Sequence, residues 1–474
     1  MSSKKICWMS ALEISNAIKR EELSPIEVID ALIEHIKEYN PKINAIVTLA
    51  EDKARKSAKK VKKALKEGKE LGPLSGVPLT VKDLESTKGI RTTFGSKLFE
   101  NNVPEEDTIV VERSKKAGAV ILGKTNTPEF GMIAVTDNLL FGHTRNPWDL
   151  SRTCGGSSGG SAAGVAAGMG PVATGSDAGG SIRIPSSLCG VYGMKPSFGR
   201  IPSYPSLPGW ETMSCEGPIT RTVSDAALIM DVMAGPDSRD RFSLPSEDTN
   251  YLESLNDGID GSKIAYSPDL GYAAVDPEVE KVTQRASSSF EELNCEVSEV
   301  ELDIPDMERE LLTVMVSEAV TAFEDILGEG WEEKIYPLYN DLLSTKESLT
   351  FKDYVRVQFK RKELWEKMRE IFENYDFLLT PATAVPAFEI EERGPLGPEK
   401  VNGKNISSMG WIPFTYPFNF TGQPAASIPC GFSSEGLPIG LQIVGDRYDD
   451  LGVLQASRAY EKAFPWNKKR PPLT

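Results

Sequence analysis

Histidine is nearly absent. His35 and His143 are the two in 474 residues, and no His/Cys/carboxylate cluster has the spacing of a metal centre. Cysteine is sparse as well: Cys7, Cys154, Cys189, Cys215, Cys295 and Cys430 are scattered, with no CxxC pair. That argues against a zinc site and a disulfide framework, and free thiols fit a reducing compartment. A basic surplus is also missing. The formal net charge of −16 speaks against a nucleic-acid or anionic-membrane partner. No apolar run approaches the roughly 18 residues of a membrane span. The opening MSSKKICWMSALEIS carries no apolar stretch of signal-peptide length. The expectation is a cytoplasmic protein that needs no cofactor and contacts neither nucleic acid nor membrane. The sequons at Asn405 and Asn419 are then chance matches.

What is present is an ordinary globular composition, 40% hydrophobic and 26% charged, in a chain long enough to bury a large core. Ser10-Ala-Leu-Glu13 and Ser24-Pro25-Ile-Glu27 read as capping boxes that open two helices, the second with proline at its first position. A charged helix follows across about Glu51–Glu70. These elements make residues 1–72 an N-terminal helical segment packed on the core. From Pro73 the texture changes. Short apolar runs at Val77–Val81, Ala119–Leu122, Val172–Thr174, Lys263–Tyr266, Phe377–Leu379, Ser427–Ile428 and Ile439–Val444 alternate with helical stretches such as Ser224–Ala234 and Asp276–Leu293. The alternation predicts one α/β domain over 73–474 around a mostly parallel or mixed sheet. Residues at about 300–375 are acidic and helix-rich and read as a helical cover. Glu392–Lys404 reads as an exposed loop.

Thr153–Gly190 holds 11 of the 40 glycines and 7 serines. Such a density is a flexible linker, a phosphate cradle or the frame of an active site. Apolar segments within it argue against the linker. Elsewhere, Gly118-AVIL-Gly123-Lys124-Thr125 matches the phosphate-loop pattern, but its middle residues want to be a buried strand and Pro128 stops the helix that pattern requires. Gly155-Gly-Ser157-Ser-Gly159 matches the nucleophile elbow of α/β-hydrolases. That fold needs a histidine downstream of the serine, and both histidines lie upstream. An order of His143, Asp149 and Ser181 is possible on paper, yet His143 sits in a turn-like run with no visible partner. A lysine can replace histidine as base if desolvation lowers its pKa from about 10.4. Lys82 ends the apolar run of GVPLTVKD; taken alone it reads first as a strand-end lysine paired with Asp83.

In combination, GVPLTVKD, GGSSGGSAAGVAAG, GSDAGGSIRIP and CGVYGMKPSFGR resemble the amidase signature family, in the right order and with Ser157 and Ser181 spaced 24 apart. The resemblance spans about Pro73–Thr220 and resumes at Phe377-LLTPA and Asn419-FTGQPAASIPCGF. It implies a single α/β/α domain with a large mixed sheet and a Ser-Ser-Lys triad. Ser181 would be the acylated nucleophile, Ser157 a bridging serine beside a cis peptide bond, and Lys82 the general base. The amides of Ala178, Gly179, Gly180 and Ser181 would form an oxyanion hole. Asp177, Arg183 and Ser158 would support the loop. Ser161, Ser176, Ser186 and Ser187 read as turn hydroxyls or caps.

The resemblance implies cleavage of a small-molecule amide by a monomer or homodimer. A glutamine-hydrolysing subunit of a tRNA-dependent amidotransferase is the alternative within the family. A non-catalytic binding protein on the same fold is a third reading, opposed by the intact Lys82, Ser157 and Ser181. The glutamine-dependent members carry an Asp where this chain has Ile412, and an isoleucine cannot bind an ammonium group. Met132, Tyr204, Trp210, Trp411 and Phe414 are candidates for the pocket wall, which would favour apolar or aryl amides with side activity on esters or carbamates. The aromatic segments around Tyr204 and Trp411 read equally well as core.

Overall fold

The computed structural model describes residues 2–206, 209–327, 330–337, 339, 344–390 and 396–473. Both capping boxes are formed. Ser10 Oγ accepts from the Glu13 amide while the Glu13 carboxylate accepts from the Ser10 amide, opening the helix Ala11–Lys19. Ser24 and Glu27 do the same for Pro25–Ile43. The charged helix runs over Glu51–Lys66.

Eleven strands build one sheet among the described residues: β1 Ile46–Leu49, β2 Pro78–Lys82, β3 Val120–Thr125, β4 Val172–Asp177, β5 Tyr192–Lys195, β6 Cys215–Thr220, β7 Lys263–Tyr266, β8 Glu296–Glu299, β9 Phe377–Pro381, β10 Ala425–Phe432 and β11 Pro438–Gly445. Their order is β1-β3-β2-β4-β6-β5-β10-β11-β9-β7-β8. The pairs β2/β3, β2/β4, β7/β9 and β7/β8 are parallel and the rest antiparallel, so the sheet is mixed. Every residue of β2, β3, β9 and β11 is buried. Strands covered on both faces read as near-continuous apolar runs, which is why these four are visible in the sequence. The phosphate-loop look-alike is the buried strand β3.

Residues 1–72 supply β1 as well as helices. Their Ile14, Ile18, Ile29 and Leu32 lie in one apolar cluster with Val81 and Val172 of the sheet. A second cluster joins Leu378 and Val444 of the sheet to Leu311 and Val314 of the helix Glu308–Leu327 and to Val357 and Leu364 of the helix Phe351–Phe372. Of the loop expected at Glu392–Lys404, residues 392–395 lie outside the described residues; the remainder closes a small hairpin of Lys400–Val401 with Lys404–Asn405. Among the described residues no helix is long and apolar enough to cross a membrane.

Candidate active site

β2 and β4 run parallel, side by side, and end together, which brings Lys82 beside Ser176 and Asp177. Lys82 is fully buried. Its Nζ lies 2.7 Å from Ser157 Oγ and 2.8 Å from Ser176 Oγ. Its backbone amide donates to Thr174 Oγ1 at 3.0 Å, which locks the strand end in register. Burial pushes the Lys82 ammonium down to about 8, against the opposing pull of the Glu216, Glu85 and Asp177 charges. Asp83 does not pair with it. The Asp83 carboxylate accepts from the Thr93 amide and hydroxyl instead.

Ser157 is 2% exposed and follows a cis Gly156–Ser157 peptide bond. It sits in the bend before the helix Gly159–Ala166, which packs so closely that a Cβ on Gly160 would lie 2.3 Å from the Asn126 nitrogen. Ser158 ties the two glycine-rich turns together. Its amide donates to the Ser181 carbonyl at 3.1 Å and its hydroxyl to the Ser176 carbonyl at 3.3 Å. Ser181 is half-buried, and its hydroxyl makes no hydrogen bond among the described residues. Ser176, expected to be a turn hydroxyl, is a strand residue that holds the lysine.

The loop from Ala178 to Ile182 is fixed from behind by an ion pair with no exposed surface. Arg183 Nε and Nη2 bond the two Asp177 oxygens at 3.0 and 2.8 Å. The remaining guanidinium bonds go to the Thr415 carbonyl, Gln442 Oε1 and Asn419 Oδ1 at 2.7–2.8 Å. Burial alone would raise the Asp177 pKa; the Arg183 charge and hydrogen bonds outweigh it and hold the carboxyl well below the carboxylate range. Asp177 also accepts from the amides of Gly180 at 2.7 Å and Ile182 at 3.1 Å. The Gly180 N–H, expected in the oxyanion hole, is therefore taken by Asp177. The N–H groups of Ala178, Gly179 and Ser181 have no acceptor among the described residues. Gly180 has φ +127°, and a Cβ there would strike Thr415 Oγ1 at 2.2 Å, so only glycine makes this turn.

Two cavities of about 350 Å³ meet at Ser181 and share Gly131, Ala178 and Trp210. One is mostly apolar and takes Met132, Trp411 and Ile412 from the expected segments, with Leu311, Leu312 and Met315 from the helix Glu308–Leu327. The other is of mixed polarity and holds Ser157, Ser176, Tyr204, Glu85 and Glu216 together with Arg239 and Arg241. Phe414 lines neither: it is fully buried in the core with Tyr416 and Phe418. Phe414 and Tyr416 thus belong to the core half of an aromatic segment whose Trp411 and Ile412 reach the cavity.

His143 has a partner after all. Its Nε2 lies 3.3 Å from Asp137 Oδ2, in a separate cavity with Tyr336, while Asp149 bonds Ser151. The paper triad of His143, Asp149 and Ser181 does not assemble. Among the described residues no group of three or more His, Cys, Asp or Glu side chains is arranged to hold a metal ion.

The site thus sets a buried amine beside the hydroxyls of Ser157 and Ser176, with the Ser181 hydroxyl close by among free amides. The chain belongs to the amidase family, whose sequence profile, described as Amidase, matches residues 27–454, and it is an amide-hydrolysing enzyme. It is 37% identical to an acylamidase of Rhodococcus erythropolis over 99% of this chain and 98% of that one. It is 35% identical to a glutamyl-tRNA(Gln) amidotransferase subunit of Clostridium acetobutylicum, over 97% and 99% of the two chains. A bacterial aryl acylamidase of the amidase signature family superposes with a TM-score of 0.92 at 34% identity, covering 97% of each chain.

Proposed function

We propose that this enzyme cleaves apolar or aryl carboxylic amides through an acyl-enzyme on Ser181, with side activity on esters or carbamates. The observation that carries the reading is the 2.7 Å contact of the buried Lys82 Nζ with Ser157 Oγ, next to an apolar cavity that ends at Ser181. A neutral Lys82 takes the Ser157 proton as Ser157 takes the Ser181 proton. Ser181 Oγ then bonds the acyl carbon, and the carbonyl electron pair moves onto its oxygen. The free N–H groups of Ala178, Gly179 and Ser181 face that charge; loss of one such donor typically costs about 10²–10³ in rate. As the C–N bond breaks, Ser157 passes the proton to the leaving nitrogen, which a poor leaving group requires. Water enters through the same relay, its oxygen bonds the acyl carbon, and the acid departs from Ser181.

Similarity to an amidotransferase subunit makes glutamine the competing substrate. Ile412, Leu311 and Met315 on the cavity wall offer nothing to an amino acid ammonium. The deciding experiment is a panel of benzoyl amides, anilides, esters and carbamates against free glutamine, on wild type and Ser181→Ala. Turnover of acyl amides that disappears in Ser181→Ala supports the reading. Ammonia release from glutamine without anilide cleavage overturns it.

A further inference from the structure

Two buried carboxyls stand behind Lys82 and take no part in the relay itself. The strand pairing puts Glu216 there. Ser176 and Glu216 lie directly opposite each other on antiparallel β4 and β6, so their side chains share one face of the sheet. The Ser176 hydroxyl on that face holds Lys82 Nζ at 2.8 Å. Glu85 arrives from the other side. Its amide donates to the Lys82 carbonyl at 3.0 Å, a turn that folds the chain back past the end of β2. Both glutamates line the cavity that holds Ser157. Their carboxyls lie against each other, with Thr174 beside Glu85 and Ser203 Oγ 3.4 Å from Glu216.

The other charges in the neighbourhood are committed elsewhere. Asp177 is held by Arg183. Lys124, also fully buried, faces Asp83 and bonds the Glu85 carbonyl and Thr87 Oγ1. Arg239 and Arg241 line the more exposed end of the cavity and pair with Glu112, Asp237 and Glu211. Asp240 accepts from the Ser203 and Phe242 amides. What remains to face the Lys82 ammonium is the pair of Glu85 and Glu216.

Two carboxyls in contact do not both ionise, so the pair keeps one proton and carries one negative charge. Burial pushes both upward, and the Glu85 charge pushes Glu216 up further. The count matters for the base. With no counter-charge, a fully buried lysine stays neutral and is a poor holder of the Ser157 proton. With two, it stays an ammonium and cannot accept one. A single charge lets it do both in turn.

We propose that Glu85 and Glu216 are positioning residues that work as one unit: they share a single proton, and their one remaining charge sets how readily Lys82 takes and returns the proton of Ser157. The proposal rests on the lysine base of the reading above.

The test reads the acid limb of the pH profile in wild type, Glu85→Gln, Glu216→Gln and the double variant. It is measured as kcat/KM for benzanilide and as the rate at which a fluorophosphonate inactivates the enzyme. Wild type is expected to show its limb at about 8. Each single variant is expected to keep it there, because the surviving carboxyl ionises fully and the charge stays at one. The double variant removes that charge and is expected to move the limb down by about one pH unit or more. A limb near 8 that the double variant leaves in place, or that either single variant moves as far as the double does, overturns the carboxyl pair alone. A wild-type profile flat down to pH 5 overturns the lysine base, and the proposal with it. Infrared difference spectra near neutral pH read the shared proton without turnover. Wild type minus either single variant is expected to show the C=O band of one protonated carboxylic acid, and its absence from either difference overturns the sharing.

Discussion

The Asp177–Arg183 pair and the group of Lys82, Glu85 and Glu216 are both buried, and both adjoin the loop that carries Ser181. In the first, each carboxylate oxygen meets two or more donors, and the guanidinium reaches Thr415, Gln442 and Asn419 as well. In the second, burial outruns the partners. The lysine is pushed toward neutrality, and burial also pushes the pKa of both glutamates up, toward their neutral forms. A saturated cluster holds charge in place, and an unsaturated one leaves protons free to move. The fold thus sets a saturated ionic strut and a buried group with shifted pKa values within one loop of each other.

Substitutions can break this contrast. Ser181→Ala is expected to remove roughly 10⁴-fold or more of kcat/KM while leaving the unfolding midpoint in place; activity assays and calorimetric scans check both. Lys82→Met is expected to cost about 10³–10⁴-fold in rate without loss of stability, because a buried lysine held down at about 8 weakens the fold. The sign follows from proton counting. Between about pH 8 and the ordinary lysine value, the unfolded chain binds more protons at this site, so wild-type stability rises with pH there. Urea titrations across that window should lose this rise in Lys82→Met.

Arg183→Met tests the other side of the contrast. It strands Asp177 in the interior and is expected to destabilise by about 3–5 kcal/mol, read in urea melts, with activity falling along with the folded fraction. A mild loss of stability there would dissolve the distinction between strut and reactive group. For wild type, kcat/KM is expected to fall about tenfold per pH unit below about 8 and to level off above it, as Lys82 gains and loses its proton. A profile flat down to pH 5 would remove lysine as the base. The smallest effect belongs to the wall. Leu312→Trp narrows the apolar cavity and is expected to slow benzoyl amides about tenfold relative to acetyl amides.

The strut and the lysine were legible in the sequence because each lies in a short motif: GSDAGGSIRIP carries Asp177, Ser181 and Arg183, and GVPLTVKD carries Lys82. The capping boxes were legible for the same reason, since their partners lie three residues apart. Ser176, Glu85 and Glu216 were not. Ser176 pairs with Glu216 across antiparallel strands β4 and β6, a neighbourhood that exists only once the sheet has formed. β6 itself is hidden by Gly217 and Pro218. The glycine is required because the Met194 carbonyl would lie 2.2 Å from a Cβ there. Phe414 misled because an aromatic run has no period that separates cavity wall from core. The Gly180 amide misled because a motif names the residues near an oxyanion and not the acceptor that already holds one of their N–H groups.

The helix Glu308–Leu327 walls the apolar cavity with Leu311, Leu312 and Met315, yet supplies none of the reacting groups. On the proposed reading, much of the recognition of the acyl chain would be written apart from the chemistry performed on it, more than a hundred codons further along the gene. Mutations along one helical face can shift the substrate range while the proton path stays untouched. A lineage carrying this chain can explore new amides in small steps, each of them still catalytic.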